Sequence, residues 1–162
     1  DPVEAAPRAG RALVRVQGLL GPSGVSTAVL GGGRGPADQV RLVPWGDERI
    51  PGADPEPPWP GRLLQPAPTL VPTTRPRAEV VDTDGVPVGV TGWHLLTGIP
   101  DRVDGREIRG WAGPWPVVER WWEPDGGRRV VRMQVLLAGD GGEKALLLLR
   151  DGGRWLVEGE YD

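Results

Sequence analysis

Between residues 110 and 162, apolar and polar positions alternate in four runs separated by three glycine-rich clusters. Val131, Met133, Val135 and Leu137 fall on one face of an extended chain, with Arg132 and Gln134 on the other. Trp155, Val157 and Tyr161 share a face, and Arg154, Glu158 and Glu160 point the other way. The run 145–149, ALLLL, is apolar on both faces, which predicts a strand in mid-sheet, covered on both sides. The separators are EPDGG at 123–127, AGDGG at 138–142 and RDGG at 150–153. Asp-Gly pairs reach positive φ at little cost because glycine has no Cβ, and tight hairpins need that conformation. The pattern predicts a four-stranded β-meander with a tryptophan-rich core.

Upstream the period changes. Residues 8–20 carry a helical repeat, with Ala12, Val16, Leu19 and Leu20 on one side, Leu13 beside them, and Arg8, Arg11 and Arg15 opposite. Gly21-Pro22 ends it. Residues 25–30 and 40–45 read as two strands, giving a helix and hairpin too small to bury a core of their own. Nine prolines lie between residues 46 and 77. Each lacks an N–H and fixes φ, so the stretch is expected to be extended, a linker or a strap across a surface, with a short edge strand at 62–65. Residues 78–81 and 86–90 flank Thr83-Asp84-Gly85 as another hairpin, and 93–96 forms a short apolar patch suited to one helical turn. The expected architecture is mainly β: a helix–hairpin segment at 1–46, a proline-rich linker at 47–77, and a small antiparallel β-meander or barrel at 78–162.

Composition narrows the function. The 162 residues carry a net charge of −3, which disfavours a non-specific nucleic-acid binder, because phosphate neutralisation supplies most of such affinity. The chain has no cysteine, so disulfides and thiolate metal sites are excluded. No apolar run approaches the ~20 residues of a membrane span, and DPVEAAPRAG at the start lacks the apolar segment of a signal peptide. A cytoplasmic protein is expected. The start at Asp1, without a methionine, reads as a piece cut from a longer chain.

No catalytic constellation stands out. His94 is the single histidine, which rules out any two-histidine metal site. The glycines at 31–35 lead through Pro36 to a strand rather than a helix, so they lack the geometry of a phosphate loop. Asp84, Asp125, Asp140 and Asp151 sit in turns, where Asp serves turn geometry. No enzyme activity, metal or cofactor is expected. The best candidates for recognition are Trp111, Trp115, Trp121 and Trp122, with Arg120 beside them. Tryptophan and arginine dominate interface hot spots, and aromatic faces also stack nucleobases. The competing account makes these tryptophans core filler in a chain without phenylalanine. Trp121 and Trp122 are adjacent, so on a strand they face opposite sides. Gln39, Leu42 and Trp45 resemble a sliding-clamp-binding peptide, with the aromatic spaced too far from the leucine.

The runs ALVRVQGLLGPSGV, GGGRGPADQVRLVPWGDER, GWAGPWPVVERWW and GGRWLVEGEYD resemble the C-terminal region of actinobacterial ImuB-like proteins, relatives of the Y-family DNA polymerases. The resemblance covers nearly the whole chain, and its most specific pieces are 110–122 and 153–162. It implies that residues 1–46 are the tail of a little-finger-like α/β region and the remainder a C-terminal extension. It also implies a non-catalytic adaptor in translesion synthesis. Such an adaptor recruits an error-prone replicative-type DNA polymerase and an ImuA-type RecA-like accessory protein. It meets the sliding clamp through a motif upstream of this fragment, with DNA contact weak or indirect. The rival reading is a single-stranded nucleic-acid-binding β-barrel that uses exposed tryptophans.

Overall fold

A computed structural model describes residues 2–56, 59–119, 127–139 and 142–162. The fold is mainly β with one N-terminal α-helix. It divides into two compact units, Asp1–Trp59 and Pro60–Asp162.

In the first unit, helix α1 (Pro2–Leu20) is followed by strands β1 (Ser26–Leu30) and β2 (Val40–Pro44), paired antiparallel with Ala28 opposite Leu42. Val29 and Val43 are buried on one face of this ribbon. The helix begins six residues earlier than its apolar repeat predicts and packs through another face. Gly10, Leu13 and Gln17 are its partly covered positions, while Val16, Leu19 and Leu20 are exposed. The reason is a tertiary contact. The bare backbone at Gly10 admits the Trp45 ring, and Gln17 Nε2 donates to the carbonyls of Trp45 at 3.0 Å and Pro22 at 2.9 Å. Gly31 and Gly32 lie so close to residues 53–54 that a side chain at Gly32 would overlap the Asp54 carbonyl. The first part of the proline-rich stretch therefore belongs to this unit.

In the second unit, seven described strands form one antiparallel sheet: β3 (Arg77–Ala78), β4 (Val80–Val81), β5 (Arg102–Val103), β6 (Arg106–Glu119), β7 (Arg128–Leu137), β8 (Lys144–Asp151) and β9 (Arg154–Tyr161). Their spatial order is β3-β9-β8-β7-β6-β5-β4. The two edge strands are separated in sequence by Glu79 alone, so the sheet curls into a nearly closed barrel. The last four strands are the meander that the alternation predicts. At the β8–β9 turn, Gly152 and Gly153 both adopt positive φ, at 53° and 80°, as a two-residue hairpin loop requires. The turns at 120–126 and 140–141 lie outside the described residues.

The barrel interior is filled by Met133, Val135, Leu137, Leu146, Leu148, Trp155 and Val157, with Val80 and Val103 from the shorter strands and Val88 from the segment between them. Trp155 Nε1 donates to the Val88 carbonyl at 2.8 Å, satisfying its buried N–H. A second cluster, Val117, Val130 and Leu149, lies on the other side of the sheet. Leu147 and Leu149 are buried as fully as Leu146 and Leu148, so β8 is covered on both faces, as its sequence predicts.

Residues 61–70 provide the outer cover. No strand forms at 62–65; the segment runs as an extended strap. Gly61 rests on Val117, the Pro68 ring lies on the bare backbone of Gly159, and Leu70 bridges to Glu160. Residues 93–96 are not helical either. Val90 bridges to Leu96, the His94 N–H donates to the Thr91 carbonyl at 3.0 Å, and His94 takes φ 62°, making a tight turn with Trp93 exposed at its tip.

Candidate functional site

The outer face of the barrel begins with a register change. Between Leu147 and Leu148, β9 carries one extra residue: Leu148 pairs with Val157 but Leu147 pairs with Gly159. The bulge breaks the alternation of β9. Tyr161 therefore leaves the Trp155/Val157 face that its spacing predicts. It pairs across from Ala145, and its hydroxyl oxygen accepts a 2.7 Å hydrogen bond from Gln134 Nε2. Glu158, one residue past Val157, stays on the outer face beneath the strap.

There Glu158 meets Arg132. Nε and Nη2 of Arg132 donate to the two carboxylate oxygens at 2.6 and 3.1 Å, with side-chain exposures of only 6% and 1%. Arg75 approaches Glu158 Oε1 at 3.4 Å. A bidentate pair of this kind satisfies charges that would be very costly to bury alone. Two arginines face one carboxylate, so the cluster carries one excess positive charge.

Two clefts open between the strap and the sheet. One, of ≈ 420 Å³, is walled by strap residues 61–66 and floored by Trp115, Val117, Arg132 and Gln134. The other, of ≈ 450 Å³, is lined by Pro66, Ala67, Trp111, Gln134, Leu136 and Tyr161, among others. They share Pro66 and Gln134. Both volumes fall in the range of sites that take a small ligand or a cluster of side chains. Trp111 and Trp115 remain 41% and 40% exposed, although each is a large apolar surface. Strand β6 places them at the two clefts through a register shift between Ala112 and Trp115, where the Gly113–Pro114 peptide is cis. Burial pushes the Tyr161 phenol above its ordinary pKa, against the lowering effect of the Gln134 hydrogen bond; the nearby Glu158 charge adds to the rise.

Of the sequence-predicted residues, Trp111 and Trp115 each line one of the two clefts, Trp111 set opposite Val135 in the register and Trp115 opposite Arg132. Arg120, Trp121 and Trp122 lie outside the described residues. Gln39, Leu42 and Trp45 belong to the first unit and do not share a face: Gln39 is buried, Leu42 is exposed on the hairpin, and Trp45 packs on α1 at Gly10. Sequence reasoning missed Arg132, Glu158, Gln134 and Tyr161. The available signal was a charge placed directly after two or three apolar residues in each strand, Arg132 in VVRMQVLL and Glu158 in WLVEGEY. Among the described residues, no group of three or more His, Cys, Asp or Glu could hold a metal ion, and no helix is long and apolar enough to cross a membrane. No family model matches the chain, and no curated protein or solved structure does.

Proposed function

We propose that the chain is a non-catalytic protein-interaction module of a cytoplasmic translesion-synthesis adaptor, the kind of protein its sequence resembles. In this reading it recruits an error-prone replicative-type polymerase and an ImuA-type accessory protein, and any sliding-clamp contact belongs to a motif upstream of the fragment. The observation that carries the docking reading is the pairing of half-exposed Trp111 and Trp115 with two adjoining clefts. A protein interface draws most of its energy from such anchors set in partly preformed pockets.

The test is capture of the purified polymerase, the accessory protein and the clamp by the immobilised chain, with oligothymidylate titrated in parallel. The expected result is capture of the polymerase or the accessory protein, lost in Trp111→Ala/Trp115→Ala, with little DNA binding at physiological salt. Salt-sensitive DNA binding without any protein capture would replace this reading with a nucleobase-stacking barrel.

A further inference from the structure

The ≈ 420 Å³ cleft has one wall that is held only at its ends. At one end Gly61 sits on Val117. At the other, the N–H groups of Thr69 and Leu70 donate to the Glu160 carbonyl at 2.9 and 3.2 Å, and the Glu160 N–H donates back to Leu70. Between these anchors the bonds described for the strap are local: Ala67 N–H donates to Gln65 Oε1 at 3.1 Å. None of the described backbone bonds joins residues 62–67 to the sheet. Leu64 is 84% exposed.

The charge of the cleft is one-sided. Among the described residues, its charged lining residues are Arg62 and Arg132, and no carboxylate lines it. Arg132 commits Nε and Nη2 to Glu158, but among the described residues Nη1 has only the Gly61 carbonyl, at 3.5 Å, the long limit of a hydrogen bond. A nine-tenths buried guanidinium thus keeps donor capacity at the cleft wall. The apolar walls are Leu63, Trp115 and Val117.

We propose that this cleft receives, from a protein partner, an extended peptide segment with an apolar anchor side chain followed closely by a carboxylate. The anchor lies on Trp115 and Val117, and the carboxylate is met by Arg132 Nη1 and Arg62. The proposal rests on the docking reading above and names the chemistry of the partner. Recognition goes through side chains rather than through an added strand, because Pro114 and Pro116 blunt β6 as a template for strand pairing. Two arginines are also too few to hold a nucleic-acid backbone, whose binding draws on a run of phosphate contacts.

The test pans a random linear peptide library on phage against the full chain and then titrates the selected peptides as fluorescent probes. The expected peptides share an aromatic or leucine residue beside Asp or Glu. Replacing that acid with lysine weakens binding about tenfold, the scale of one good charged contact. Trp115→Ala loses a similar factor, and Arg62→Glu reverses the preference for acid over lysine. Arg132 is left intact, because removing it strands Glu158. The proposal falls if nothing is enriched, if the selected peptides are basic, if both variants bind as wild type while their near-ultraviolet circular dichroism is native, or if oligothymidylate displaces the peptides at physiological salt. Failure here is separable from failure of the assigned function. Capture of a partner undisturbed by both variants moves docking to another surface. Peptide binding without capture of the named partners keeps the cleft and changes its client.

Discussion

Glu158 stands in a run of alternating apolar and charged positions, and alternation alone sends it to solvent. A proline-rich strap covers that face, and Glu158 is buried against Arg132 instead. The strap is not visible in a period-two pattern, because it lies far upstream in the sequence. Removing one member of a buried pair leaves the other uncompensated, so Glu158→Ala is expected to cost about 3–5 kcal/mol, read as a loss in urea-unfolding free energy. The double change Arg132→Met/Glu158→Leu is expected to recover most of that loss; a double variant no more stable than Glu158→Ala would contradict the pairing. Tyr161 reports the same region and is the chain's single tyrosine, so its ultraviolet titration is unambiguous. Burial raises its pKa in the folded state. The folded protein then holds that proton more tightly than the unfolded chain, so the linked stability is complete below about pH 10 and falls as pH climbs through the folded pKa. The folded midpoint is expected above that of the chain in concentrated urea, and an equal or lower midpoint would mean an exposed phenol.

The elements that were legible were those with a strong local signal. The four meander strands follow from alternation and Asp-Gly turns, and the all-apolar run 145–149 is buried on both faces, as such a run must be. The elements that were not legible depend on tertiary partners. Trp45 chooses the face of α1 by settling on Gly10, a preference that the apolar repeat cannot express. Residues 62–65 have strand-like composition but find no ladder, and Pro66 and Pro68 commit the segment to side-chain packing over the barrel. Strand β6 pairs with β5 only at Arg106 and Glu107, and beyond Ile108 no described strand meets that edge. Its two prolines discourage accidental strand addition there. Hydrogen exchange separates the strap into its parts. The Thr69 and Leu70 amides, bonded to Glu160, are expected to be protected, and those of Arg62, Leu63 and Leu64 to exchange rapidly. Protection at Leu63 and Leu64 equal to that of β8 would make the strap a fixed part of the sheet face.

At the scale of the molecule, the chain builds one well-filled barrel and one small helix–ribbon unit, and the site belongs to the barrel. Eight tryptophans in a chain without phenylalanine made them the visible candidates for recognition. Which of them stay exposed was not readable. Trp155 fills the interior with its N–H bonded, whereas Trp111 and Trp115 stay half exposed at the clefts, and the difference lies in the register of β6 against β7. The clefts themselves arise between a sheet face and a segment joined to it only through the fold. The account therefore turns on whether those two rings are an interface. The most direct measurement is the calorimetric affinity of the chain for its captured protein partner, compared between wild type and Trp115→Ala, with thermal unfolding of both recorded alongside. The account predicts an affinity at least about tenfold weaker in the variant, as for a hot-spot anchor, with a melting temperature close to that of wild type. An unchanged affinity in a folded variant would contradict it.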